Sequence, residues 1–497
     1  MLFSSFLTLL VFSTYTSSTV NSTDSNNKKK SSMMGHSMML NRLGMLMFSF
    51  VLMLLMNSMN IMSLMPGFTL FNNWFSFTSY NLPLIMLMML LMMGLLMYNT
   101  NMTSRNVKDT DVDNKSSLLS PYLMLLMLAN SMGLMLFPLV NDLLALYMMV
   151  ELQSYSLYLL TGLHNRSYNA SRASLLYFLM GGVASAIILL ASYFIYSLTG
   201  STNLSDMSMF YSLSSMSTEG GLTYSMSQME GYYFDMLLMA LFFKMGLAPL
   251  HRWSIAVYNY APTYITAYMS MVAKMSMSSW MFTNAMFFNH YLFMMFFYMS
   301  LFMGSYKPLY QMNLKTMLAY SGLLNFGYML LSMMTFDISF YMYIMQYTLT
   351  HMMLFLSMLA ASQYMNKPMS TWSPLMYMHQ LKLPNLTLAI CMMLALFSFM
   401  GMPPTPGFYA KLYMLISALQ DNYMLESLTL IMCSVMATYY YANIIKVLMT
   451  SRTIKDNTGY YNINLSLAYI MATATMLLIS FFIFLPFISE GLYLITI

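Results

Sequence analysis

Apolar residues run through this chain in long stretches separated by short polar intervals. The stretches fall near residues 2–20, 44–64, 82–98, 119–138, 142–162, 173–198, 232–248, 254–285, 290–304, 313–334, 338–361, 385–412, 424–448 and 464–494. About 20 apolar helical residues cross the hydrocarbon core of a bilayer. Most stretches reach or approach that length. The pattern predicts an all-α, polytopic membrane protein of about 14 transmembrane helices. No basic residue precedes the first stretch, as one would in a cleaved signal peptide, so it reads as a retained helix.

The polar intervals sharpen the picture when they are taken alternately. One set carries Lys28, Lys29, Lys30 and Arg42, then Arg105, Lys108 and Lys115, then Arg166 and Arg172, then Arg252, then Lys307 and Lys315, then Lys367 and Lys382, then Arg452 and Lys455. The other set has no Lys or Arg and carries Asp206, Glu219, Glu230, Asp337, Asp421 and Glu490. Cytoplasm- or matrix-facing loops are enriched in Lys and Arg, so the basic set faces that side and both termini face the other. Lys446 lies near the basic-side end of its stretch and can snorkel. Asp142 and Asp235 sit near predicted helix ends. Lys244, Lys274 and Lys411 refuse the scheme because they fall inside the apolar stretches, as does Glu151.

Composition agrees with the pattern. Of 497 residues 59% are hydrophobic and 7% charged, against about 25% charged in soluble domains. Length alone would allow about three soluble domains, but the hydropathy makes this one membrane domain. The two cysteines lie in apolar stretches and form neither a disulfide framework nor a metal cluster. The formal charge of +5 is not arranged in basic stripes with interleaved aromatics, which argues against nucleic acid. The 69 methionines read as filler of lipid-facing and core positions.

Intramembrane charges are rare and costly, about 2.5–3.5 kcal/mol each on insertion scales, and usually face a polar interior path. Lys244 is followed by Gly246 and Pro249, which break the helix; the backbone groups so freed must lie inside protein or against a watery cavity. A second break contains Gly401, Pro403, Pro404, Pro406 and Gly407, with Lys411 just beyond. Glu151 is the evident partner of Lys244. Burial disfavours a lysine's charge and a nearby carboxylate favours it, so such a pair can hold or release a proton as its separation changes. A static ion pair that fixes helix packing is the plainer alternative. Two lysines sharing one carboxylate, once Lys274 is included, weigh against packing alone. Between Lys274 and Lys411 the chain offers Tyr320, Ser321, Asn325, Tyr328, Tyr347, Thr350 and His351, which could order water, and histidine is a residue type suited to a proton relay. His351 could equally be a hydrogen-bonded packing residue. His251 reads as an entry or interface residue; His36, His164, His290 and His379 read as loop or interfacial.

Broken helices in corresponding positions of two halves mark ion sites in transporters built from inverted repeats. The helix pattern allows residues 119–248 to be compared with 290–412, with 1–43 and 44–118 before them, 249–289 connecting them and 413–497 after. The chain has no Walker motif, no dinucleotide fingerprint after a strand, no facing pair of haem histidines and no cysteine cluster for iron–sulfur binding. Its energy, if it moves ions, must come from a partner or from another gradient. It has no metal-binding pattern and no catalytic acid–base set of its own.

The segments VELQSYSLYLLTG, LFFKMGLAPLHRW, MVAKMS, LKTMLAYSGLLNFGY and GMPPTPGFYAKLYM resemble the antiporter-like subunits of respiratory complex I, over about residues 44–490. Subunits of multi-subunit cation/proton exchangers share that core. The resemblance implies a fourteen-helix core with two inverted five-helix repeats, and proton translocation coupled to NADH:ubiquinone oxidoreduction elsewhere in a hetero-oligomeric complex in the mitochondrial inner membrane, with membrane lipids around it. This chain would bind no cofactor; NADH, FMN, iron–sulfur clusters and ubiquinone would belong to partner subunits. The polar axis would be Glu151, Lys244, Lys274 and Lys411, supported by His351 and Tyr320. Two positions depart from the family: Leu176 stands where relatives often have lysine, and Asn325 where many have histidine. A cation/proton exchanger subunit and a non-conducting membrane scaffold are the competing readings.

Overall fold

The computed structural model describes residues 2–20, 26–62, 68–78, 80–105, 122–163, 168–209, 221–335, 338–361, 386–450 and 465–496. The loop residues Lys108, Lys115, Arg166, Glu219, Asp337, Lys367, Lys382, Arg452 and Lys455, and with them His164 and His379, lie outside the described residues.

Helices α1 (Leu2–Val20), α2 (Asn26–Met62) and α3 (Leu82–Arg105) come first, then α4 (Tyr122–Leu136), α5 (Leu143–Gly162) and α6 (Tyr168–Thr199). Next are α7 (Gly221–Met245) and the short α8 (Arg252–Tyr260). Helix α9 (Thr263–Tyr268) passes through a π turn at Met269–Ala273 into α10 (Lys274–Thr283). Helices α11 (His290–Tyr306), α12 (Leu314–Thr335), α13 (Ser339–Ala361), α14 (Leu386–Met400), α15 (Pro406–Gln420), α16 (Met424–Thr450) and α17 (Leu465–Thr496) complete the series. Eight of the described helices are long and apolar enough to cross a membrane by length and composition, and α1, α3 and α14 carry shorter apolar segments. The sequence pattern predicts about fourteen; among the described residues several further helices are shorter or interrupted. Helix α7 starts at Gly221 rather than near 232, so that Asp235 lies within it instead of near its end.

Burial separates centre from periphery. The best apolar windows of α12 and α13 are 94% and 83% buried, whereas those of α6 and α17 are 33% and 28% buried. The outer face of α6 presents Leu175, Phe178, Leu179 and Val183. Apolar surface on that scale, on helices of this length, is a surface for lipid tails. The central helices carry the polar residues, so the protein turns the usual soluble arrangement outward.

A feature that the apolar pattern did not show joins α2 to α3. Strands β1 (Phe68–Leu70) and β2 (Phe75–Phe77) form an antiparallel hairpin in the register Phe68↔Phe77. Its turn places Phe71, Asn72 and Asn73 at positive φ. The hairpin is fastened to the α4–α5 corner: Asn141 donates its N–H to the Trp74 carbonyl at 2.8 Å. Leu143 donates to Thr202 and Leu204 donates to Asn141, at 2.9 and 2.8 Å. Asp142 caps α5, accepting from the Leu144 N–H and the Thr202 hydroxyl at 2.8 Å each. An N-cap carboxylate satisfies one of the orphan donors of a helix start, and here it also ties two loops together.

Candidate functional site

The two helix breaks have the same backbone. Helix α7 ends with Gly246 at φ +71°, and α14 ends with Gly401 at φ +83°. At the first, Leu247 donates to the Phe242 carbonyl at 3.1 Å and Gly246 to Phe243 at 3.0 Å. At the second, Met402 donates to Phe397 at 3.2 Å and Gly401 to Ser398 at 3.1 Å. Both are the Schellman termination, in which a left-handed glycine lets two N–H groups turn back onto the last carbonyls. Each is followed by a cis X–Pro bond, Ala248–Pro249 and Pro403–Pro404. Gly246, Pro249, Gly401, Pro403 and Pro404 thus form the breaks, while Pro406 and Gly407 open α15.

The lysines do different work at these equivalent backbones. At the first break the Phe243 carbonyl is also held by the Trp253 indole N–H at 3.1 Å, and the Ser254 hydroxyl reaches the Gly246 carbonyl at 3.4 Å. Neutral side chains therefore satisfy the helix end. The Lys244 ammonium makes no hydrogen bond and faces Glu151 on α5, with Nζ 3.9 Å from Oε1; their side chains are 1% and 12% exposed. That distance leaves both groups ionically paired and neither fully satisfied. At the second break the half-buried Lys411, reaching back from α15, itself caps the helix end. Its Nζ donates to the carbonyls of Phe399 at 2.9 Å and Met400 at 3.1 Å. A cation at a helix C-terminus meets the negative end of the helix dipole as well as two orphan carbonyls.

Lys274 stands between the two, on the first turn after the π segment. It is buried and lies over the rings of Phe326 and Tyr258, 4.8 and 5.1 Å from their centroids. Cation–π contact offsets part of the cost of a buried charge without supplying a hydrogen bond. A π turn breaks the regular i→i−4 ladder and is frequent at functional sites. Here the Ser270 carbonyl accepts from the Tyr347 hydroxyl at 3.3 Å, and the Ser270 hydroxyl meets His351 Nε2 at 3.0 Å. His351 is buried, and its ring stacks on Tyr347 at 4.9 Å. Lys274, Ser270, Tyr347 and His351 line one small cavity of about 10 Å³, enough for about one water.

The same cavity is lined by Lys315, and this corrects its placement among the loop charges. Lys315 is buried in the first turn of α12 and donates to the Ala261 carbonyl, at the end of α8, at 2.9 Å. Its position next to the basic end of a stretch gave no sign of this, because the burying partner is far away in the chain. Tyr320 also sits differently from its expected place between Lys274 and Lys411. It is half-buried, and its ring meets His251, 6.0 Å away. His251 is buried within the first break, with Nδ1 3.2 Å from the Pro249 carbonyl.

A buried polar knot connects the Glu151 helix to the Lys274 helix. Asn130 donates to the Gln153 carbonyl at 2.7 Å and to the Ser156 hydroxyl at 2.8 Å, and accepts from Tyr268. Ser276 reaches Gln153 Oε1 at 3.3 Å. The network ties four helices together, although Gln153 Nε2 is buried within it without a hydrogen-bond partner, and polar networks of this kind help to fix one packing of a core. At the family departures, Leu176 packs against the hydrophobic core, and Asn325 accepts from the Tyr343 hydroxyl at 2.7 Å. Among the described residues no group of three or more His, Cys, Asp or Glu could hold a metal ion.

The model of the NADH:quinone oxidoreductase/Mrp antiporter transmembrane family matches residues 140–439. That interval holds both breaks, Glu151 and the lysines Lys244, Lys274, Lys315 and Lys411. The chain is 60% identical over 496 residues, covering 100% of both proteins, to the NADH-ubiquinone oxidoreductase chain 2 of Debaryomyces hansenii. Its fold is shared with a chain of respiratory complex I from Thermus thermophilus, with a TM-score of 0.70, 20% identity and coverage of 89% of this chain and 92% of that one. It is shared equally with a chain of the Mrp complex from Dietzia, with a TM-score of 0.70, 15% identity and coverage of 93% and 91%. The chain belongs to the NADH:quinone oxidoreductase/Mrp antiporter transmembrane family, among the relatives that carry the name NADH-ubiquinone oxidoreductase chain 2.

Proposed function

We propose that this chain is a proton-translocating, antiporter-like subunit of mitochondrial complex I, driven by NADH:ubiquinone oxidoreduction in partner subunits. The observation that carries the reading is the Lys244–Glu151 pair, buried, 3.9 Å apart and outside hydrogen-bond reach, beside a broken helix. A pair built only for packing would close to full hydrogen bonding, since removing either charge from water costs several kcal/mol. The open spacing leaves the pair room to tighten or loosen. Lys274 and Lys411 continue the axis, with His351 linked to the Lys274 cavity and Tyr320 beside His251. In this reading the fourteen crossings come from counting each interrupted helix once, and residues 119–248 and 290–412 are two inverted repeats. The matching terminations at Gly246 and Gly401 support that comparison. Both termini lie on the intermembrane-space side of the inner membrane, NADH, FMN, iron–sulfur clusters and ubiquinone are held by partner subunits, and lipids cover the outer helices.

Lys244→Ala is expected to slow proton-coupled NADH:quinone turnover about tenfold, equivalent to ~1.4 kcal/mol on the limiting barrier, with the complex still assembled on a native gel. Normal coupled turnover in that variant would defeat the role. Lys411→Ala separates a pump from a non-conducting scaffold: a pump loses proton-to-electron stoichiometry, whereas a scaffold keeps it or fails by disassembly. The fold shared with the Mrp chain keeps a gradient-driven exchanger as the second reading. Co-migration of the chain with in-gel NADH dehydrogenase activity favours complex I; ion exchange by a complex without that activity favours the exchanger.

A further inference from the structure

Two polar compartments meet at one phenylalanine. The first is the cavity beside Lys274, Lys315, Ser270 and His351. The second surrounds Lys411, whose Nζ lies 5.8 Å from the Tyr328 ring centroid. In it, the Tyr328 hydroxyl is buried without a hydrogen-bond partner, and the Tyr441 hydroxyl clusters with Tyr440, Ser321 and Asn325. A buried polar group left unsatisfied is unfavourable, so this compartment favours entry of water or of a proton-carrying partner.

Phe399 touches residues of both. Its ring is 6.0 Å from His351 and 6.5 Å from Tyr347 on the first side, and stacks on Tyr441 at 5.7 Å and 11° on the second. A hydrocarbon ring carries no donor or acceptor that could extend a hydrogen-bonded chain. Its backbone is the part that Lys411 grips, through the Phe399 and Met400 carbonyls. The ring that contacts both compartments therefore stands on a helix end held by the cation of the second compartment.

We propose that Phe399 is a gate between these compartments and that the Lys411 hydrogen bonds to the Phe399 and Met400 carbonyls are its latch. This rests on the proton-transfer reading. While the ammonium holds both carbonyls, the ring parts His351 from Tyr441. Loss of the proton from Lys411 replaces charge-assisted bonds with weaker neutral ones, the end of α14 loosens, and the ring can leave its place. Proton arrival at Lys411 closes the gate behind it. Phe399 and its carbonyl act here as positioning elements and carry no proton themselves.

The test uses the whole complex in vesicles loaded with a pH-sensitive dye, with a pH step imposed and no NADH present. Phe399→Ala is expected to speed proton equilibration severalfold over wild type, and adding Lys411→Met is expected to abolish that leak. A leak equal to wild type in assembled Phe399→Ala complex overturns the gate. If that variant assembles poorly, Phe399→Leu and Phe399→Val decide: a leak that grows as side-chain volume is lost supports the gate, and a flat series overturns it. The latch is read by hydrogen exchange at the Gly401 and Met402 amides, which bond to the last turn of α14. Exchange that rises in Lys411→Met supports the latch, and unchanged exchange overturns it. Because the leak is read without electron transfer, its failure is distinct from failure of the coupled-turnover test at Lys244.

Discussion

Lys244 and Lys411 show how one residue type is set to two tasks by what satisfies the backbone beside it. The Trp253 indole and the Ser254 hydroxyl relieve Lys244 of capping, and the ammonium is left for Glu151. Trp253→Phe keeps a ring against Tyr177, 5.5 Å away, but removes a donor from the Phe243 carbonyl. It is expected to destabilise the assembled protein by about 1–3 kcal/mol, measured as a lower midpoint of thermal inactivation, with a smaller loss of coupling than Lys244→Ala. Equal stability would mean that the indole bond contributes nothing to the break. The intramembrane charges Glu151, Lys244, Lys274 and Lys411 were legible in the sequence because a charge inside an apolar run has a cost that the chain must justify. Lys315 was not legible. The residue sits where a loop lysine would sit, and only the fold brings the α8 corner at Ala261 over it. Tyr320 was misplaced for a related reason: helix membership shows that a hydroxyl is inside, not which neighbour it faces.

At the scale of elements, the unit of construction is the break, a glycine in the left-handed region followed by a cis-proline. A Cβ at Gly246 would meet the Ser254 side chain at 2.5 Å, and the conformation itself costs a non-glycine residue roughly 1–2 kcal/mol. Gly246→Ala is therefore expected to reduce the amount of assembled complex on native gels. Adding Ser254→Gly should restore only part of it, because the side-chain clash goes and the backbone cost stays. Full restoration would assign the whole effect to the clash. The breaks were readable in advance, since Gly and Pro clustered inside an apolar run punctuate a helix. The π turn at Met269–Ala273 was not, as its sequence MSMVA is ordinary helix in composition and the bulge depends on Ser270 finding Tyr347 and His351. The hairpin at Phe68–Phe77 escaped because three-residue strands are too short to set up an alternation. Its stability comes from the α4–α5 corner to which it is fastened.

Across the whole molecule, polarity increases inward. Helices α12 and α13 are buried and carry hydroxyls, amides and a histidine, while α6 and α17 turn large apolar side chains outward. The proposed orientation, with both termini on the intermembrane-space side, rests on the alternation of basic and acidic intervals. An epitope at either end of the chain is expected to be protected from protease in sealed matrix-side-out vesicles and cleaved when the opposite face is exposed; cleavage of one end only would require an odd number of crossings. The class of fold was legible from hydropathy alone, because a bilayer demands long apolar helices and little else. The side chains that meet at the centre were not, because nothing local says which of many helices are neighbours. The proposed lysine axis also bears on selectivity. An ammonium has three donors and no acceptor, so it can pass a proton along but cannot ligate sodium, and like charge repels an incoming metal ion. On the proposed proton-transfer reading, Lys244, Lys274, Lys315 and Lys411 set against the single carboxylate of Glu151 would repel a metal ion and hand on only a proton.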